Sequence, residues 1–133
     1  MSFDLITQKK IYEALNGVIS CPVYDNAPQG SAFPYVTIGE ANLTDNDTDS
    51  SQSVYISYVI HTWSQADGLG GADGRKEIKT IMGEIYNALH LTKFSESGYS
   101  FTENYFLSSD SFVETDGKTR HGVQTFKLTM EII

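Results

Sequence analysis

The chain has 133 residues, with 17 acidic and 9 basic side chains and a formal charge of −8, which suits one packed domain over residues 1–133 and excludes a general binder of nucleic acid or anionic membrane. Hydrophobic residues are 40% and charged residues 20% of the total, a globular rather than a disordered balance. There is no apolar run near the ~20 residues of a membrane helix, no secretory pattern in Met1-Ser2-Phe3-Asp4, and with Cys21 alone no intrachain disulfide, which points to a reducing compartment.

The first expected element is a helix over Ser2–Ile19. Leu5, Gln8, Tyr12, Leu15 and Ile19 form its apolar stripe, widened by Ile11 and Val18. Ser2 or Asp4 can cap its start, and Gly17 and Pro22 mark its end. A short extended piece, Pro22–Asp25, leads to a turn at Pro28-Gln29-Gly30. Pro34–Gly39 reads as a strand, with Pro34 at its first position or on an edge. Residues 40–53 read as a polar loop carrying Glu40, Asp45, Asp47 and Asp49.

Val54–Trp63 is the longest strand candidate. Val54, Ile56, Tyr58 and Ile60 share one face; Tyr55, Val59, His61 and Trp63 share the other. Both faces are largely apolar, so a central strand covered on both sides is expected. A glycine-rich loop follows to Gly74. Residues 74–90 then form the cleanest helix, with Ile78, Ile81, Met82, Ile85, Tyr86 and Leu89 on its buried stripe. Asp73 can cap it. With Gly74 at the cap instead, Glu77 falls at the third helical position. Tyr105–Leu107 and Phe112–Glu114 lead into Asp116-Gly117, a hairpin signal. On the return strand, Gly122–Ile133, Phe126, Leu128, Met130 and Ile132 face one way; Thr125, Lys127, Thr129 and Glu131 face the other. The expected class is α+β: a mainly antiparallel sheet with two helices packed on one face.

The chemical motifs are negative. Asp45-Asn46-Asp47-Thr48-Asp49 opens like a calcium loop, but Ser50 stands where its glycine belongs and Ile56 where its bidentate glutamate belongs. The run Asp67–Lys76 fits neither the Walker nor the dinucleotide glycine spacing. His61, His90 and His121 lack metal-ligand spacing. Cys21 beside Pro22 reads as a small buried hydrophobe. No catalytic set, cofactor site or metal site is expected. Arg75, Lys76 and Lys79 crowd the first turns of the second helix, where the macrodipole disfavours cations. They form either a solvated face or a contact with acid on a neighbour. The loop holding Asp45, Asp47 and Asp49 on another copy could supply that acid.

Taken as an ordered set, these pieces resemble the tail completion (tail terminator, or tail-to-head joining) proteins of long-tailed phages and gene transfer agents. The residues that carry the resemblance are Val23-Tyr24-Asp25, Ala27-Pro28-Gln29-Gly30, Phe33–Gly39, Thr62-Trp63-Ser64, Gly74-Arg75-Lys76-Glu77-Ile78 with Leu89, and Asp116–Phe126. The resemblance spans almost the whole chain, apart from Phe94–Tyr105 and the acidic loop.

The resemblance implies a structural virion protein of the tail's head-proximal end, assembled in the host cytoplasm. It implies a hexameric ring that ends polymerisation of the tail tube protein and then meets the head's connector or stopper proteins, with DNA passing through the lumen. It supplies no catalytic residues. It gives Pro28, Gly30, Pro34 and Tyr35 the shaping of turn and strand, and it packs Trp63 under the second helix. An acidic lumen would let DNA slide without sticking. Tyr55, Tyr99 and Tyr105 are either interface residues or domain packing. Val123–Ile133 could pair with a neighbour if it lies at the sheet's edge. The alternatives are a tail-tube or other minor tail subunit, and a small ligand-binding or enzymatic α+β domain.

Overall fold

A computed structural model of the chain describes residues 2–65 and 74–133. The element order is α1 (Phe3–Leu15), β1 (Val23–Tyr24), β2 (Tyr35–Asp45), β3 (Ser53–Ser64), α2 (Gly74–Leu89), β4 (Tyr99–Phe101), β5 (Tyr105–Val113) and β6 (Arg120–Ile132). The class is the expected α+β.

β3 and β6 are the centre of the sheet. They pair antiparallel along their whole length, from Ser53↔Glu131 to Ser64↔Arg120. β2 flanks β3 antiparallel, and β1 adds a short parallel pairing at Val36 and Thr37. The far side of β6 is shared: β5 pairs with its first half and β4 with its last residues. β6 therefore has partners on both sides, and Val123–Ile133 is not an edge.

Both helices cover one face. Tyr58, Ile60, Phe126, Leu128 and Met130 point under them, against Ile6, Ile11 and Leu15 of α1 and Ile81, Ile85 and Leu89 of α2. Gly122 lets α2 come close: a Cβ there would lie 2.6 Å from Met82 Sδ. The period-2 alternation of β3 is visible in its burial, with residues 56, 58, 60, 62 and 64 buried and those between them only partly so. β3 is thus central but covered on one face, not on both.

α1 is shorter than expected and rotated. Ser2 caps it by accepting the Leu5 N–H at 3.2 Å. Asn16 ends it, and Gly17 leaves with φ +78°. Its buried residues are Ile6, Thr7, Ile11 and Leu15, whereas Leu5 and Tyr12, expected inside, are 59% and 40% exposed. The α2 stripe is as read from the sequence except for Tyr86, which lies at its solvent rim. The proposed Asp73 cap lies outside the described residues.

β2 runs six residues beyond its expected end at Gly39. A bulge between Ile38 and Ala41 moves the alternation by one residue, so Ala41 and Leu43 stay on the helix-covered face. The residues read as a 40–53 loop are therefore half strand, and the true hairpin loop is 46–52.

Candidate assembly interface

The described residues present open sheet edges and an open sheet face. No group of three or more His, Cys, Asp or Glu is placed to hold a metal ion among them. Cys21 is buried, and burial, with Glu84 and Glu77 adding to it, pushes its thiol up to about 11, which makes it a poor nucleophile.

The first surface is a pair of unlike sheet edges. On β2 the only strand partner at the outer side among the described residues is β1, which reaches Val36 and Thr37. The stretch after Thr37 to Asp45 has no strand beside it there. On the opposite margin, β5 pairs only with β6 among the described strands. Its Phe106 N–H donates to His90 Nδ1 at 3.1 Å, so its open stretch begins at Leu107. β5 is mostly exposed and has no lysine or proline, the residues that usually guard an edge. Tyr105, Leu107, Phe112 and Val113 are each more than 40% exposed on it. The sequence hid this strand, because Ser108, Ser109, Asp110 and Ser111 break the apolar pattern in its middle.

The second surface is the sheet face away from the helices. A groove of about 470 Å³ crosses it, lined by Tyr55, Ser57, Tyr105, Leu107, Lys127 and Thr129 among others. Tyr55 and Tyr105 are thus brought to one place, and both are exposed. Tyr99 is not with them: it meets Phe3 edge-on, with ring centroids 6.1 Å apart, and packs against the core.

Trp63 lies on this open face rather than under α2. Thr62 and Ser64 take the two inward positions beside it, so alternation turns Trp63 outward. Its indole stacks on His121 at 3.8 Å, and its Nε1–H donates to Thr37 Oγ1 at 3.1 Å. Tyr35 stacks against Trp63 and Phe33 against Tyr35. Pro34 follows a cis peptide bond ahead of this row, Pro28 accepts the Ser31 N–H, and Gly30 has φ +82°. These residues lie at the entry to β2.

The charged candidates sit at opposite ends of the sheet. Asp45, Asp47 and Asp49 occupy the β2–β3 hairpin, at the Ser53↔Glu131 end. Asp47 Oδ1 accepts the Ser53 N–H at 2.9 Å and Asp45 Oδ1 the Asp47 N–H at 3.3 Å, so these two carboxylates also fold their own loop. Arg75, Lys76 and Lys79 are exposed at the start of α2, at the Ser64 end, where Ser64 Oγ donates to Glu77. Within one copy the two sets are therefore separated along the length of the strands.

A polar group with no signature in the sequence lies on the open face: His61, His121 and Glu114, of which His121 is buried and the other two half-buried. His121 Nδ1 is 2.7 Å from Glu114 Oε1, and its Nε2 is 2.7 Å from His61 Nδ1. They are 60 and 7 residues apart in sequence. Only the strand register brings them together.

Comparison with known proteins agrees with this surface-rich, site-poor picture. The family model described as "Tail completion protein gp17" matches residues 5–131. A "Tail completion protein gp17" of Bacillus phage SPP1 is 26% identical over 127 residues, covering 96% of this chain and 86% of that one. Among solved structures, a chain of the "Virion of native gene transfer agent (GTA) particle" superposes with a TM-score of 0.81 at 19% identity, over 98% of this chain and 99% of that chain. At that identity the likeness is one of fold.

Proposed function

The chain belongs to the tail completion protein gp17 family, and from that premise we propose that it forms a hexameric ring on the head-proximal end of the phage tail tube. There it stops tube growth and presents a surface to the head's connector or stopper. Its work in the virion tail is structural, not enzymatic.

The observation that carries the ring reading is the pair of unlike free edges. Counting alternations across the sheet, β2 and β5 run in opposite directions. A second copy in the same orientation therefore sets its β2 antiparallel to the first copy's β5. Such a contact joins two different surfaces, and contacts of that kind close into rings when the rotation allows. The free stretches are staggered along the strands, and a closed sheet absorbs such a stagger as strand tilt. With the helices outside, the open face would line the lumen. It carries Glu40, Glu114 and Glu131 against Lys127, an excess of acid that suits sliding DNA.

The alternative is a subunit of the tube itself. Cryo-electron microscopy of particles with this chain labelled separates the two readings. A single ring of density at the head-proximal end is expected. Labelling along the whole tail would make the chain a tube subunit.

A further inference from the structure

We propose that Glu114, His121 and His61 form a proton-sensitive clasp that fastens the β5–β6 hairpin to β3, closed when the pair of imidazoles carries at most one positive charge and opened when it carries two.

The geometry makes the clasp. Glu114 is the first residue after β5, and its backbone N–H closes the hairpin on Thr119 O at 2.7 Å. Its side chain meets His121 Nδ1, and His121 Nε2 meets His61 Nδ1, so one continuous line of hydrogen bonds crosses from the hairpin to β3. Both rings are held in place. His121 is 9% exposed, stacked on Trp63 at 3.8 Å and faced by Phe112 at 5.0 Å. His61 lies over Gly39, where an added Cβ would sit 2.8 Å from the ring.

A bond between two imidazoles needs one N–H and one bare nitrogen. With both rings neutral, His121 donates Nδ1–H to Glu114 and accepts the Nδ1–H of His61. With one added proton, His121 donates at both nitrogens and His61 switches to its other tautomer. With two added protons, N–H points at N–H across 2.7 Å, and the contact cannot survive.

Among the described residues, the charged groups around the pair are Glu114 from the hairpin and Glu40 from β2; Phe112, Trp63 and Gly39 contribute none. Burial, then the neighbouring His121, hold His61 below the usual histidine value, and Glu40 opposes them only in part. A histidine lowered in this way stabilises the fold above its unfolded value, and that stability is lost as the pH falls through the range between the unfolded and folded values. The clasp is therefore shut at neutral pH and opens on acidification.

The test is nuclear magnetic resonance on the intact chain, following the imidazole nitrogens and the hairpin amides from about pH 8 to pH 5. Linked titration is expected: the first proton taken up by the pair should change the tautomer of His61. On the second protonation, amide exchange at Val113, Glu114 and Arg120 should rise about tenfold beyond its intrinsic pH dependence, as for one lost charged hydrogen bond. In His61→Gln that acid step should vanish. Independent titration of the two rings, or hairpin amides that keep their protection in the wild-type chain to the acid limit, would overturn the proposal.

Discussion

Gly39 and Gly122 show how a single side chain decides packing here. A Cβ at Gly39 meets His61 Cδ2, His61 Nε2 and the Val59 carbonyl, each at 2.8 Å; a Cβ at Gly122 meets mainly Met82 Sδ at 2.6 Å. Met82 can turn aside, but the Val59 backbone cannot. Gly39→Ala is therefore expected to cost about 1–3 kcal/mol and Gly122→Ala less, as read by thermal melting of both variants. Tyr58 makes a second prediction. Its buried hydroxyl donates to Asn104 Oδ1, and Asn104 Nδ2 in turn donates to the Thr92 carbonyl, which fixes the connection between α2 and β5. Tyr58→Phe leaves the Asn104 acceptor dry, and a loss of about 1–3 kcal/mol in denaturant unfolding is expected. Cys21 makes a third: with its thiol pushed up to about 11, it should resist a thiol reagent at neutral pH until the chain unfolds.

At the scale of elements, the hairpin between β5 and β6 has its own pH signature. Asp116 accepts from Thr119 Oγ1, Thr119 N–H and Lys118 N–H, which together hold its carboxyl down to about 2 from the usual 3.8. A lowered carboxyl stabilises above its unfolded value and is lost only as pH falls through the folded one. The Lys118 and Thr119 amides should accordingly stay protected well below pH 3.8 and lose protection at any pH in Asp116→Ala, which removes the oxygen that accepts both of them.

The elements also show what the sequence made legible. The α2 stripe, the β3 and β6 alternation and the Asp116-Gly117 turn follow periods set by local geometry, and they were readable. β2 past Gly39 was not, because a bulge resets its phase and puts polar residues where inward ones were looked for. The α1 stripe was misread by about one residue because α1 is apolar on more than one side, so only packing chooses between Leu5 and Ile6. The resemblance puts Trp63 under α2, whereas the alternation of β3 turns it to the face opposite Thr62. The Glu114–His121–His61 line had no local signature, since pairing between β3 and β6 creates it.

At the scale of the whole molecule, the fold is a sheet with one helix-covered face, one open face and two unlike margins. That shape explains why so many apolar residues remain exposed on β5 and why no described cluster resembles a reaction site. If β5 meets β2 of the next copy, Leu107→Lys should leave the melting temperature of the monomer nearly unchanged while preventing ring formation, because lysine guards an edge. Size-exclusion chromatography with light scattering on tails assembled from the variant checks this. If copies or partners meet end to end along the tail, Asp45, Asp47 and Asp49 at one end of the sheet and Arg75, Lys76 and Lys79 at the other would lie at axial contacts rather than around the ring. Reversing Arg75 and Lys76 should therefore weaken attachment to the axial neighbour and leave the ring itself intact.

A chain that completes the tail should be needed for tails of defined length joined to heads. Electron microscopy of particles produced without its gene tests that most directly. Filled heads separated from tails, with tails overlong or ragged at the free end, are expected. Tails of normal length firmly joined to heads would contradict it.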